Sequence, residues 1–100
     1  MLNIEKTVDG STLTMALGGR LDTTTAPQLE NELKAELDRT DKLVLDFEKL
    51  EYISSAGLRV LLSAQKVMGK KGGMTIRRVN DVIMEIFEVT GFIDILNIET

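Results

Sequence analysis

Two hydrophobic periodicities alternate along this chain of 100 residues. An apolar residue at every second position is typical of a half-buried strand, whereas apolar residues three and four positions apart are typical of an amphipathic helix. The strand pattern comes twice at the start, and helix and strand patterns then follow in turn, in the order β-β-α-β-α-β-α. This order predicts an α/β fold in which a mixed sheet of about four strands packs against three to four helices.

The predicted sheet opens with a hairpin. Residues 2–8 and 13–17 each alternate apolar with polar side chains, and Asp9-Gly10 between them is a tight-turn signal. A pair of glycines at 18–19 then interrupts the second strand. The strand–helix–strand units that follow are expected to cross over with a right-handed sense.

The central part of the chain predicts a buried strand followed by a helix. The run Leu43-Val44-Leu45-Asp46-Phe47 is almost continuously apolar, which is typical of a strand covered on both faces. Residues 50–53 are interpreted as an extended link. The helix is predicted over about residues 56–69.

Two further helices flank this central unit. The first begins at Thr25, which fits a capping box with Gln28, and runs to about Asp38. The last helix is capped by Asn80 or Asp81. The apolar residues that follow it predict one more helical turn that closes the core.

The residue types that are absent restrict the chemistry. The chain contains no histidine and no cysteine, which removes the commonest general base, disulfides and thiol chemistry. No cluster of metal-ligating residues is present in the sequence either. We therefore expect neither an enzyme nor a protein with a cofactor or a metal.

Charge and hydropathy restrict the partners. The net charge of −4 argues against nucleic acid, because phosphate binding requires a basic surface. No segment is long and apolar enough to cross a membrane, and the first residues do not form a signal peptide. The expectation is a cytoplasmic, monomeric protein that forms a single domain over residues 1–100.

The segment Ser54-Ser55-Ala56-Gly57 stands where the central strand gives way to a helix. A helix begins with unpaired N–H groups and a partial positive charge, so a phosphate is electrostatically favoured there. Gly57 is expected to leave the backbone uncovered beside the hydroxyl, so that another protein can approach closely. The simpler alternative is that a serine at this position is only a helix cap, and both roles can hold if one serine caps while the other is exposed.

Several motifs together resemble the STAS domain of anti-sigma-factor antagonists. They occur in the family's order and at its spacing: Gly19-Arg20-Leu21-Asp22, Leu43-Val44-Leu45-Asp46-Phe47, Tyr52-Ile53-Ser54-Ser55-Ala56-Gly57-Leu58, Lys71-Gly72-Gly73 and Phe87-Glu88-Val89-Thr90-Gly91-Phe92. The resemblance covers essentially the whole chain.

The resemblance implies a phosphorylation switch. Family members bind, when unphosphorylated, an anti-sigma factor that is also a serine kinase of the histidine-kinase-like ATPase type, and a serine phosphatase resets them after phosphorylation. The phosphorylated serine of the family lies two residues before the motif glycine, which here is Ser55. The family often has Asp before this serine and Ser or Thr after it, where this chain has Ser54 and Ala56, so Ser54 is the alternative acceptor.

The resemblance also implies a partner surface, in which the loop containing Asp22 lies near the phosphoserine. The residues expected to bind the kinase are Asp22, Thr23, Thr24, Ser54, Ser55, Ala56, Gly57 and Arg59. The threonines and Asp22 can instead be helix-capping residues. The alternative function is a STAS interaction module without a switch, within a larger signalling or transport complex.

Overall fold

The computed structural model describes residues 2–99. Its strands are β1 (Leu2–Asp9), β2 (Thr12–Leu21), β3 (Lys42–Ile53), β4 (Met74–Arg77) and β5 (Asn97–Glu99), and its helices are α1 (Ala26–Glu36), α2 (Ser55–Met68) and α3 (Asp81–Thr90). A single 3₁₀ turn follows α1 at Leu37–Arg39, and another follows α3 at Phe92–Asp94.

The strands form one sheet in the order β1-β2-β3-β4-β5. β1 is antiparallel to β2, and all the other neighbours are parallel. Because each crossover from β2 onward advances by one strand in the same direction, right-handed crossovers bring the three helices to the same face of the sheet. The predicted α/β fold with an opening hairpin is confirmed, with one strand more than the approximate number expected.

The helices cover β3 on one face only. Leu43, Leu45 and Phe47 are fully buried, whereas Val44 and Asp46, which point to the opposite face, are only half-buried. The prediction of a strand covered on both faces is therefore wrong. Residues 43–47 resemble a strand covered on both faces because Val44, which lies on the open face, is also apolar.

β3 is longer than the sequence suggested. The supposed link at residues 50–53 is the last part of this strand, because it pairs with the end of β2 through Leu21 opposite Ile53. The two glycines at 18–19 do not end β2; the pairing with β3 shifts its register on either side of them. Both strands consequently reach the same edge of the sheet, where their carboxyl ends lie side by side.

The chain after β4 closes the sheet. The Asn80 side chain accepts a hydrogen bond from the Ile83 N–H at 2.8 Å, which confirms the helix cap, and Gly91 ends α3 in the left-handed conformation at φ 80°. After the 3₁₀ turn, Leu96 is buried and β5 pairs with β4. This strand was missed because three residues are too few to show an alternation.

Candidate functional site

The carboxyl ends of β2 and β3 bring two distant segments together. Leu21 and Ile53 are paired at the ends of these strands, and the Ser54 N–H donates a hydrogen bond of 2.8 Å to the Leu21 carbonyl. The loop that follows β2 therefore lies next to the first turn of α2. These are the two segments in which the sequence predicted partner-binding residues.

The two serines at the start of α2 have different surroundings. Ser54 is the N-cap residue, and its carbonyl accepts the first helical hydrogen bond, from the Leu58 N–H at 2.9 Å. The Ser54 hydroxyl is buried and has no hydrogen-bond partner among residues 2–99. Ser55 is the first helical residue and is exposed. Of the two hydroxyls, only that of Ser55 is open to another protein in this conformation.

The first turn of α2 leaves backbone donors available. Ser54 makes no side-chain capping bond, and the N–H groups of Ser55, Ala56 and Gly57 have no hydrogen-bond partner within the described part of the chain. These groups, with the helix dipole, give this end of α2 a partial positive charge. An anion attached to the Ser55 side chain would lie in a favourable field.

Gly57 is buried on the inner side of α2. A Cβ at this position would lie 2.7 Å from Leu21 Cγ and 2.8 Å from Ile53 Cγ1. The glycine is therefore required by the close approach of α2 to the ends of β2 and β3. The interpretation that Gly57 leaves backbone uncovered for a partner is wrong, because these two side chains already cover it.

Asp22 organises the loop between β2 and α1. Its Oδ1 accepts hydrogen bonds from the Thr24 hydroxyl at 2.8 Å, from the Thr24 N–H at 3.0 Å and from the Thr25 N–H at 3.2 Å. The hydrogen bond from the Thr24 hydroxyl is the main cause that lowers the pKa of the Asp22 carboxyl below its ordinary 3.8. Asp22 therefore orders the loop before α1, whose N-cap residue is Thr25 and not Asp22.

The predicted capping box of α1 does not form. The Thr25 hydroxyl turns back to the strand, where it donates to the Arg20 carbonyl and accepts from the Asp22 N–H, each at 2.8 Å. The Gln28 side chain donates to the Leu2 carbonyl instead. Asp22 Oδ1 accepts from the Thr25 N–H, the donor that the box assigned to the Gln28 side chain, and the Gln28 N–H donates to the Thr25 carbonyl at 3.0 Å.

The sequence reasoning missed a pair of residues beside this loop. Arg20 is opposite Tyr52 in the β2–β3 pairing, and its guanidinium carbon lies 4.6 Å from the centre of the Tyr52 ring. Its Nε is 3.8 Å from Asp22 Oδ2. Arg20 occurs in the motif that includes Asp22, but only the strand register reveals its stacking on Tyr52.

Comparison with known proteins identifies the family. The family model described as "Mlab, STAS domain" matches residues 4–97. The chain belongs to the STAS domain family. It is 40% identical over 90 residues to the putative anti-sigma factor antagonist BtrV of Bordetella bronchiseptica, a match that covers 88% of this chain and 77% of that protein.

Two further comparisons agree with this assignment. The STAS domain is 31% identical over 99 residues to an anti-sigma-B factor antagonist of Staphylococcus aureus, covering 97% of this chain and 92% of that protein. Its fold matches the crystal structure of an anti-sigma factor antagonist from Mycobacterium paratuberculosis with a TM-score of 0.89 and 22% identity, covering 98% of this chain and 85% of that one.

The remaining predicted residues of the STAS domain differ in exposure. Thr23 and Thr24 are exposed in the loop, and Arg59 is exposed one helical turn after Ser55, on the same side of α2. Ala56 is half-buried and packs against the core. The side chains that a partner can reach at this edge are therefore mainly those of the two threonines, Ser55 and Arg59, with Asp22 and Arg20 beside them.

Neither a metal-ligand cluster nor a membrane-spanning helix is found in residues 2–99. These residues contain no group of three or more acidic, histidine or cysteine side chains arranged to hold a metal ion. Within the same range, every helix is too short or too polar to cross a membrane.

Proposed function

We propose that this STAS domain is an anti-sigma-factor antagonist whose binding is switched by phosphorylation of Ser55. In its unphosphorylated form it binds an anti-sigma factor that is also a serine kinase of the histidine-kinase-like ATPase type. The bound surface comprises the first turn of α2 and the neighbouring loop at Asp22, Thr23 and Thr24. Phosphorylation releases the kinase, and a serine phosphatase restores the binding form.

The exposure of the Ser55 hydroxyl at the start of α2 carries this proposal. A kinase can reach this side chain without unfolding the helix, whereas the Ser54 hydroxyl is buried. The unpaired N–H groups of the first turn and the helix dipole favour a negative group at this position. The domain therefore tolerates a phosphate of about −1.5 to −2 charge units at pH 7.

The partner would not tolerate the same charge in its interface. A dianion taken out of water without a counter-charge is destabilising. A penalty of about 3 kcal/mol weakens binding more than about a hundredfold. Because the charge acts directly on the partner, the STAS domain need not change its own conformation. Since the phosphate donor would be ATP, the switch would operate in the cytoplasm.

Phosphorylation can be tested by intact-mass measurement. We expect one phosphate on the wild-type protein after incubation with the anti-sigma-factor kinase of the same organism and ATP, and site mapping should assign it to Ser55. Ser54→Ala should still accept one phosphate, whereas Ser55→Ala should accept none. Phosphate on Ser54 in the wild-type protein would contradict the assignment. The absence of both phosphate and kinase binding would favour the alternative module without a switch.

Binding provides the matching test. Ser55→Ala should remain bound to the kinase in the presence of ATP, and Ser55→Glu should bind about a hundredfold more weakly than the wild type, by calorimetry. Ser63 is exposed on the same helix, so Ser63→Glu is the control for an added charge and should bind normally. If Ser55→Glu bound as tightly as Ser63→Glu, charge repulsion would not be the mechanism.

A further inference from the structure

The outer side of α3 exposes two valines that are not part of the core, beside Ile86, which packs partly against it. Val82 and Val89 are 57% and 80% exposed, and half-buried Ile86 lies between them at helical spacing. With Glu85 and Thr90 they line a shallow depression formed by α3 alone, and we call these five residues the α3 groove. Other residues of α3 face the core, since Ile83 and Phe87 are fully buried.

The α3 groove lies in the most acidic part of the chain. Residues 81–94 contain four acidic side chains, Asp81, Glu85, Glu88 and Asp94, and no basic one. The chain has 16 acidic and 12 basic residues, so the other 12 acidic residues are matched in number by the basic ones. The whole net charge of −4 is therefore attributable to this segment, and none of its carboxylates forms a salt bridge within residues 2–99.

This combination selects one kind of occupant. An apolar stripe beside unpaired carboxylates is complementary to a segment with apolar side chains flanked by lysine or arginine. A second copy of this chain would bring like charges together, and an anionic membrane surface would be repelled. We propose that the α3 groove binds a basic amphipathic helix of a protein partner, which packs alongside α3 as one helix packs against another. This interaction is independent of the phosphorylation of Ser55.

A designed peptide tests the complementarity directly. The probe is a leucine–lysine peptide of about 18 residues with helical periodicity, titrated into the full ¹⁵N-labelled protein and followed by NMR. We expect the shift changes to concentrate in residues 81–94, and the dissociation constant to rise with salt concentration. A leucine–glutamate peptide of the same pattern should not bind.

Matched double variants test whether the exposed valines and glutamates of α3 bind the peptide. Val82→Ser/Val89→Ser and Glu85→Lys/Glu88→Lys should each raise the dissociation constant of the leucine–lysine peptide by about tenfold or more. The controls are Val8→Ser/Val67→Ser, at valines 68% and 43% exposed on other elements, and Glu5→Lys/Glu51→Lys, at exposed carboxylates. Each control should change the constant by less than about twofold.

Several outcomes would overturn the proposal. These are shift changes centred outside residues 81–94, no binding of the leucine–lysine peptide, or control variants that weaken it as much as the groove variants. A wild-type dimer in sedimentation that Val82→Ser/Val89→Ser makes monomeric would assign the groove to a second copy. Binding to vesicles of anionic lipid that the same variant abolishes would assign it to a membrane surface.

Discussion

A single carboxylate orders the loop at the candidate site. Asp22 accepts hydrogen bonds from the Thr24 hydroxyl and from the backbone N–H groups of Thr24 and Thr25. All of these bonds favour the ionised form, so the pKa of Asp22 is lowered in the folded protein. The ionised side chain stabilises the fold at every pH above the ordinary pKa, and this contribution disappears as the pH falls through the lowered folded-state pKa.

The titration of Asp22 gives the residue-scale prediction. In wild-type protein the carboxyl carbon of Asp22 should titrate by NMR with a midpoint below 3.8. Thr24→Val removes the hydroxyl that contributes most to lowering the pKa of Asp22, so it should move the midpoint up toward 3.8. Thr23→Val is the control, since Thr23 is exposed and makes no side-chain hydrogen bond within residues 2–99. Equal shifts in the two variants would show that the Thr24 hydroxyl is not the cause.

At the scale of elements, α2 and α3 begin in different ways. The Asn80 side chain accepts from the Ile83 N–H and donates to the Leu50 carbonyl at 2.9 Å, so it caps α3 and ties it to β3. Ser54 occupies the equivalent position of α2 but makes no capping bond. The donors of α2 remain free, which costs that helix some stability and leaves them available to the phosphate of the proposed switch.

Urea unfolding of two cap variants tests this difference. Asn80→Ala should lower the free energy of unfolding by about 1–2 kcal/mol, because a capping bond and a bond to β3 are lost. Ser54→Ala should change it by less than about 0.5 kcal/mol or raise it slightly, since the buried hydroxyl has no partner to lose. A loss for Ser54→Ala as large as that for Asn80→Ala would mean that the Ser54 hydroxyl caps α2 in solution.

For the molecule as a whole, the sheet has one face covered by helices and one open face. The alternation of burial along β3 reports this arrangement, with Leu45 fully buried and its neighbour Val44 half-buried. The two residues are adjacent in the same strand, so they differ mainly in the face to which they point.

Alanine substitutions at these two positions compare the faces. Leu45→Ala should lower the free energy of unfolding by about 2–5 kcal/mol, because it leaves a cavity in the core. Val44→Ala should cost less than about 1.5 kcal/mol, since the side chain is smaller and partly solvated already. Thermal or urea unfolding measures both. Similar losses would indicate that the open face is covered in solution.

The order of the elements other than β5 was predictable from the sequence, because helix and strand periodicities are local properties of the chain. The sequence also predicted the hairpin turn at Asp9-Gly10, the cap at Asn80 and the helix that begins beside Ser54. Each of these depends on residues within a few positions of one another. The motif around Ser55 was visible for the same reason, since it is one continuous segment.

Tertiary structure decided what depends on pairing between distant segments. The register of β2 on β3 brings Arg20 over Tyr52 and leaves no space for a side chain at Gly57. The same pairing extends β3, and the partner strand β4 stabilises the short β5. The Thr25 hydroxyl donates to the Arg20 carbonyl on β2 and does not form the predicted capping box, while Asp22 accepts from the Thr25 N–H that the box assigned to Gln28. Local preference is worth only a fraction of a kcal/mol per residue, so contacts made by the fold override it.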